Sequence, residues 1–572
     1  MEPGFWARFM TELRTPGSFW RDRTLICLAV VLSYASVWPN KFLFDDVVLI
    51  QANDFFKMPA GLFKILTHRN GAGAGLVQGF YRPVPMAVHF FIYRLSYPLC
   101  NAHMPMTVGF HALNIALQAL NGCLLLAFGV RAGFNRNAAL AAALLWAVHP
   151  LHTEAVTYMA STPELMWSTF CLLGLVTLLP KAAPMNGIVD QQDAFSPRRT
   201  RLSLVLFTLA LLSKESAIVF PALATATLFF ISEQRRRLST YFKTDLLWLL
   251  SFAYILIILL FILQPAPGTL NQAYTHIYRS SIAVRLWTAL ATLPTYAHLI
   301  IWPQGLHFRR VFPVFTTLWH SQPLLGLAMV LAAALQILWG RGRRGLALTF
   351  GLLWFAAAQS PNTGIVAPID GLISEHWMYL PTMGLFLGVT QTFAGLFRNR
   401  QKAAILLVAV MTVALGTATF RQNMEWRNIN TLYQNTKRNG GSLILMNGHE
   451  AVYLMAHRRF ADARRLLQNS IDALPKGLSG DQAVLHKLMS FAWLGIVPKN
   501  GWEFTVETLR SALPATRHMD EAIAELQKSA RINPAHSYWQ HKFLAVIYAY
   551  QGDRQKAAEQ QKIAKQLKPE DQ

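Results

Sequence analysis

Charge is scarce in this chain, and negative charge scarcer still. Charged residues fill 14% of its 572 positions, with 29 Asp and Glu against 52 Lys and Arg. A soluble domain carries about 25% charged residues. With 53% hydrophobic residues beside so little charge, most of the chain is expected to lie in a membrane. Only four cysteines are present, which excludes a disulfide framework. Cys27, Cys123 and Cys171 fall within apolar runs, leaving Cys100 as the loop cysteine. There is no Gly-rich phosphate loop and no Rossmann-type unit, so the usual nucleotide-binding devices are missing. No nucleic-acid-binding motif accompanies the net charge of +23. The basic clusters sit between apolar runs, as cytoplasmic loops do, and nucleic acid is not an expected partner. No small-residue cleavage site follows the first apolar run, so that run is expected to stay as a span.

What is present is a succession of apolar runs, about eleven by hydropathy. They cover residues 25–38, 106–126, 138–148, 155–179, 202–212, 217–231, 246–262, 323–338, 346–358, 378–397 and 403–420. With a cytoplasmic N-terminus, every basic cluster falls on one side, as the positive-inside rule requires. These clusters are Arg131 with Arg136, the Lys181 to Arg201 group, Arg235 to Lys243, Arg341 to Arg344, and Arg398 to Lys402. Counting 285–302 as a full span would invert everything after it. That segment is therefore expected to be a re-entrant or interfacial helix within a long outer region, 264–322. The fold expected is all-α, a polytopic membrane domain over residues 1–420.

The same threading gathers polar groups from distant segments at the opposite, outer face. Asp45 and Asp46 stand just past the first span. Tyr81-Arg82-Pro83 follows in the same long loop, ahead of an interface-lying stretch at 84–95. His149-Pro-Leu-His152-Thr-Glu154 makes the next outer turn, then Lys214-Glu215, then Asp370 and Ser374-Glu375-His376-Trp-Met-Tyr379-Leu-Pro381. Carboxylates beside a membrane span point to function, because they are costly to keep there. Adjacent carboxylates also repel, which raises one pKa and makes it a usable base near neutral pH. The plain alternative is a solvated loop pair.

Residues 421–572 lack apolar runs and follow the last span, so they are expected outside with the polar groups. Leu544, Ala545, Tyr548, Gly552, Ala557, Ala564 and Pro569 fall at the offsets of a tetratricopeptide unit. Ala522 and Pro534 match 35 residues earlier, and Ala451, Ala463, Leu467 and Pro475 make a third match. Residues 476–519 fit poorly and are expected to contain an insertion. Stacked repeats offer concave surfaces for peptide or protein; packing or dimerisation is the alternative use.

Taken in order, the motifs Phe-Asp45-Asp46, Tyr81-Arg82-Pro83, His149-Pro-Leu-His152-Thr-Glu154, Ser213-Lys214-Glu215 and Ser374-Glu375-His376-Trp-Met-Tyr379-Leu-Pro381 resemble those of one family. So do Trp302-Pro303 and the 423–426 segment leading into the repeats. The family is the transmembrane and tetratricopeptide-repeat O-mannosyltransferases and their bacterial relatives, within the C-type glycosyltransferase superfamily. The resemblance covers nearly the whole chain, which we read as a bacterial relative. It implies transfer of a sugar from a polyprenyl-phosphate carrier to an acceptor hydroxyl at the extracytoplasmic face, with an aspartate of the first outer loop as base. One departure stands out. Where relatives commonly have Glu-Arg, this chain has Glu375-His376, a titratable ring in place of a permanent bidentate cation.

These expectations assign roles. Asp45 or Asp46 supplies the base for a hydroxyl that is a poor nucleophile. Displacement by the acceptor inverts the anomeric centre; a covalent nucleophile at Glu154 or Glu375 is the open alternative. The lipid-phosphate leaving group needs a cation, Lys214 first and Arg82 second, unless Lys214 merely pairs with Glu215 or Arg82 snorkels as an anchor. His149, His152 and Glu154 are expected to hydrogen-bond sugar or phosphate; a divalent cation there is the alternative. Glu215, Glu375 and His376 complete the substrate-binding set, and Tyr379 is expected to pack. The acceptor expected is a protein Ser or Thr presented by the repeats, with a lipid or cell-surface glycan as the alternative. Two other classes fit less well: a transporter often has an internal repeat between halves, and the membrane region shows no such symmetry, while a non-catalytic repeat scaffold leaves the outer acids unexplained. The location expected is a bacterial inner membrane with its active face in the periplasm, or the endoplasmic reticulum lumen in a eukaryote. Single cysteines placed in the tail of intact cells should react with an impermeant maleimide; labelling only after the membrane is breached would overturn this topology.

Overall fold

The computed structural model describes residues 18–51, 53–74, 80–100, 106–179, 197–231, 245–257, 278, 281–340, 342–366, 371–397, 399–441, 444–472, 479–496, 506–534 and 537–567. Among them every regular element is a helix. A helix satisfies its own backbone polar groups, which is what an apolar surrounding demands. Thr107–Arg131, Ser321–Trp339 and Gln401–Glu425 are long and apolar enough to cross a membrane. The remaining apolar runs form shorter or less apolar helices: Ser18–Ser33, Arg136–Ala147, Thr162–Leu178, Pro197–Leu211, Phe220–Ile231, Asp245–Ile257, Gly342–Gln359 and Tyr379–Leu396.

The span expected at 155–179 is not a single helix. The chain makes a short helix Thr153–Thr157, a tight 3-10 turn Met159–Ser161, and only then the helix Thr162–Leu178. Pro163 is the reason. Its ring would clash within a continuing helix and removes a backbone donor, but it fits the first turn of a new one. Glu164 lies beside it in that first turn, where a negative charge meets the helix dipole favourably.

The helix Thr107–Arg131 organises the interior. It packs on Ser18–Ser33, Arg136–Ala147 and Thr162–Leu178. Asn114, Gln118 and Asn121 recur on one of its faces, and all three are buried. Each amide both donates and accepts. Asn114 donates to the Val156 carbonyl (2.9 Å) and accepts from the Thr162 hydroxyl (2.8 Å). Gln118 donates to the Ala147 carbonyl (2.8 Å) and accepts from the Tyr379 hydroxyl (2.5 Å). Asn121 donates to the Leu165 carbonyl and to the Tyr379 oxygen (both 3.0 Å), and accepts from Thr169 (2.7 Å). The stripe staples four segments together beneath the polar turns. Tyr379, expected to pack, packs on Trp146 and closes this ladder with its hydroxyl.

The helix Ile282–Ile301 stands where a re-entrant or interfacial element is expected. At 20 residues it could reach about 30 Å. Its polar contacts are informative. Arg285, near one end, donates to the Ile365 carbonyl (3.0 Å), and Tyr296 accepts from the Ser374 amide (3.1 Å). At the other end the Ile300 carbonyl pairs with His149 Nε2 (2.9 Å). Both ends thus touch segments that the charge pattern assigns to the same face.

The C-terminal region is built from helix pairs: Ile444–Ala456 with Phe460–Asp472, Ser479–Leu494 with Met519–Ile532, and Tyr538–Tyr550 with Arg554–Leu567. Ala451, Ala463, Leu467, Ala522, Leu526, Leu544 and Tyr548 share one core. Gly552 turns the last pair with φ +83°, a conformation that favours glycine. The poorly fitting stretch 476–519 supplies the first helix of the middle pair, and the extra residues lie between its two helices, where Val506–Ala512 forms.

Replacing Asn121 by Ala should remove the buried donor to the Leu165 carbonyl and the Tyr379 oxygen, and leave the Thr169 hydroxyl with only the Leu165 carbonyl of its own helix. The expected loss is about 1–3 kcal/mol of stability, read as a lowered thermal midpoint of the protein in detergent. An unchanged midpoint would remove the amide stripe as a support.

Candidate functional site

The site is built on the backbone between His149 and Glu164. Pro150 and Pro163 each start a new helical turn, so the segment kinks twice and presents side chains in two directions. Glu154, in the short helix Thr153–Thr157, is buried. Its Oε2 accepts the amide protons of Glu375 (3.1 Å) and His376 (3.2 Å), and its Oε1 lies 2.9 Å from His376 Nδ1. Burial pushes the Glu154 carboxyl up, but His376 and the two amides outweigh it and hold the acid below its ordinary value. Glu375 has the opposite balance. Burial and the neighbouring Glu154 charge push it up to about 8, against Arg310 and the His307 amide, which donates to Glu375 Oε1 at 2.8 Å. Of two carboxylates at one place, one ionises and the other keeps its proton.

From Glu154 the chain of polar contacts continues. His376 Nε2 lies 3.9 Å from Glu164 Oε1. Glu164 pairs with Lys214, and its other oxygen accepts from Trp167 Nε1 (2.6 Å). Lys214 and Glu164 are both buried. Breaking such a pair by removing one partner costs about 3–5 kcal/mol, because the other charge is stranded. The expected alternative partner of Lys214, Glu215, is engaged elsewhere. Arg82 holds Glu215 with two bonds, Nε to Oε2 at 3.0 Å and Nη2 to Oε1 at 2.5 Å, and also lies over the Phe80 ring.

The adjacent aspartates are treated differently. Asp46 is buried, and both oxygens are occupied by backbone donors: the Ala160 amide at 2.6 Å and the Leu43 amide at 3.1 Å. Burial pushes its pKa well up, Asp45 adds to the rise, and the amides oppose it. Asp45 is exposed, and its amide donates to the Tyr158 hydroxyl at 3.0 Å. The pair therefore consists of one anchored and one solvent-facing carboxylate.

His149 and His152 face into the fold. His149 Nδ1 accepts from the Leu151 amide (3.2 Å), and Nε2 pairs with the Ile300 carbonyl. Burial lowers its pKa to about 4. His152 is fully buried between the Trp146 and Tyr379 rings, and burial lowers it further. Among the described residues no three His, Cys, Asp or Glu side chains converge to hold a metal ion. Asp370 lies outside the described residues. Sequence reasoning missed Glu164, hidden in an assumed continuous span; the Thr162-Pro163-Glu164 helix-start pattern is the signal that could have found it. It also missed Arg310, whose guanidinium lies 3.4 Å from Glu375, and His307. Nothing local marks either one.

The chain is 25% identical over 446 residues to the mouse protein O-mannosyl-transferase TMTC3, covering 72% of this chain and 47% of that protein. To the human protein O-mannosyl-transferase TMTC3 it is 23% identical over 557 residues, covering 90% and 57%. A shorter stretch of 228 residues is 30% identical to the human protein O-mannosyl-transferase TMTC1, 38% of this chain and 24% of that one. The chain spans about half the length of the curated TMTC3 relatives it matches. No protein-family model and no solved structure matches it.

The raised pKa of Glu375 makes stability depend on pH. A carboxyl whose folded pKa exceeds its unfolded value stabilises fully below the unfolded value, near 4.5, and loses that contribution as pH rises through the folded one. Stability should fall between pH 5 and about 8, and Glu375→Gln should flatten that decline in thermal unfolding scans. A variant with the wild-type slope would assign the titration elsewhere.

Proposed function

We propose that the chain is an integral-membrane glycosyltransferase that moves a hexose, mannose by the names of its relatives, from a polyprenyl-phosphate carrier to a Ser or Thr hydroxyl of a protein. The observation that carries this reading is the split of the aspartate pair. Asp45 faces solvent at the tip of a turn, and Asp46 is fixed by two amides directly behind it. A general base must reach the acceptor hydroxyl, about 2.6–3.2 Å away. In this reading Asp45, exposed on the turn, meets that demand, and Asp46 holds the turn through its two backbone donors. Attack by the activated hydroxyl expels the carrier phosphate and inverts the sugar.

The departing phosphate needs positive charge. Lys214 and Arg82 supply it in this reading, each oriented by a carboxylate, Glu164 and Glu215. Glu154, Glu215, Glu375 and His376 then order the sugar-facing side, and His149 and His152 support the turn beneath it. The lipid-linked donor fits a site at membrane level with no nucleotide-binding loop. About eleven spans over residues 1–420, the tetratricopeptide-like character of 421–572, and an outer-face orientation, periplasmic or lumenal, belong to the same proposal. The relatives reported above are animal proteins, so a bacterial source rests on the sequence resemblance alone. A helix-pair array on the active side would raise the local concentration of a protein acceptor.

The test is transfer of radiolabelled mannose from polyprenyl phosphate to a Ser/Thr peptide by purified protein. Asp45→Asn should lower turnover by about 10² to 10⁴ with no loss of thermal stability. Asp46→Asn should lower both, since one backbone donor loses its acceptor. Normal turnover by both variants, or efficient transfer from a nucleotide sugar without lipid, would refute the reading.

A further inference from the structure

Residues 43–46 close a turn from both sides. The Asp46 amide donates to the Leu43 carbonyl at 2.8 Å, and the Leu43 amide donates to Asp46 Oδ2 at 3.1 Å. The second residue of this turn is Phe44, with φ +44°. Turns that need positive φ at that position take Gly, Asn or Asp; a bulky side chain there is a strained exception. Such strain persists only where the surroundings over-determine it, and it gathers at functional sites.

Here the surroundings are three rings. Phe44 stacks on Phe308, with centroids 4.8 Å apart and planes 29° apart. Phe308 meets the edge of Trp426 at 5.6 Å and of Tyr158 at 5.9 Å, and Tyr158 and Trp426 lie 5.6 Å apart. Arg309, next to Phe308, also has positive φ, +51°, so the backbone is strained on both sides of the stack. Leu43, Leu432, Tyr433 and Met446 complete the cluster. Two hydrogen bonds fasten the same junction. The Arg427 carbonyl accepts from the Lys41 amide, and the Asn423 carbonyl from the Asn40 side chain, both at 3.0 Å. The acidic turn is thus gripped by the segment that leads from the helix Gln401–Glu425 into the C-terminal helix pairs.

A Phe44 with negative φ would give a different turn type and rotate the peptide that joins it to Asp45. Asp45 would then leave its place over the Tyr158 hydroxyl. We infer that Phe44, Phe308 and Trp426 are positioning residues, an aromatic clamp by which the start of the C-terminal region holds the acidic turn in its left-handed form and aims Asp45 at the acceptor. This rests on Asp45 being the base. The clamp touches no substrate in this reading; it acts through the turn.

The prediction separates positioning from packing by the kinetic term it moves. Trp426→Leu keeps apolar bulk but removes the ring. It should lower kcat by roughly 10- to 100-fold, the scale of a misplacement of about 1 Å, with KM for polyprenyl-phosphate mannose unchanged. Trp426→Phe, which keeps a ring, should recover most of kcat. Phe44→Gly relieves the backbone strain but removes the stack, and should lose kcat as Trp426→Leu does. Should Trp426→Leu fail to fold, Phe44→Leu carries the test, because it leaves Trp426 on Phe308. Asp45→Asn is the control. If it is inactive while the folded clamp variants keep wild-type kcat, the clamp is overturned and the reading of Asp45 stands. A loss confined to KM, or no rescue by Phe at 426, also overturns it. If Asp45→Asn itself turns over normally, the reading of the base fails, and the clamp fails with it.

Discussion

One buried carboxylate, Glu154, joins the two halves of the site. It receives two backbone amides and an imidazole from residues 375 and 376, more than 200 positions later in the chain. An ionised carboxylate in a water-poor place is tolerable only with such a shell of donors. That demand fixes the turn before Tyr379–Leu396 against the turn after Arg136–Ala147. The ladder through Tyr379, Gln118 and Asn121 lies beneath that contact, and Trp146 donates to the Tyr379 carbonyl at 3.1 Å. The chemistry-bearing side chains above inherit their spacing from this one junction.

The polar groups above it form one chain of contacts, from Lys214 to Glu164, His376, Glu154, Glu375 and Arg310. In a low dielectric each member makes its neighbours tolerable, so the chain behaves as a unit. The proton kept by Glu375 belongs to this logic: two adjacent carboxylates cannot both ionise cheaply. His376 stands between Glu154 and Glu164, 2.9 Å from one and 3.9 Å from the other, and so links the two carboxylates through one imidazole ring.

The C-terminal region is tied to the same structure by Asn423. This residue donates to the Ser33 carbonyl (3.0 Å), accepts from the Thr157 hydroxyl (2.7 Å), and gives its own carbonyl to Asn40. Asn435 and Gln422 both donate to the Leu306 carbonyl, at 2.9 and 3.1 Å. The end of the last long helix thus reaches Asn40, Thr157 and the 306–310 loop together. The helix pairs begin directly from this hub.

Much was legible in the sequence because it depends on local rules. Apolar runs indicated the helices. The small residues Ala451, Ala463, Ala522 and Ala564, spaced for helix-on-helix contact, marked the tail, and all four are buried in the structure. The clustering of Glu154, Lys214, Glu375 and His376 followed from assigning their turns to one face. What the sequence could not decide was pairing. Lys214 and Glu215 are neighbours in the chain, yet each takes a distant partner, Glu164 and Arg82, because successive residues leave a turn in different directions. Nor could it separate Asp45 from Asp46, which carry the same chemistry. Only the tertiary structure did so, by bringing the Ala160 amide and the ring of Phe308 to opposite sides of a turn that a sequence of L-residues would not by itself adopt.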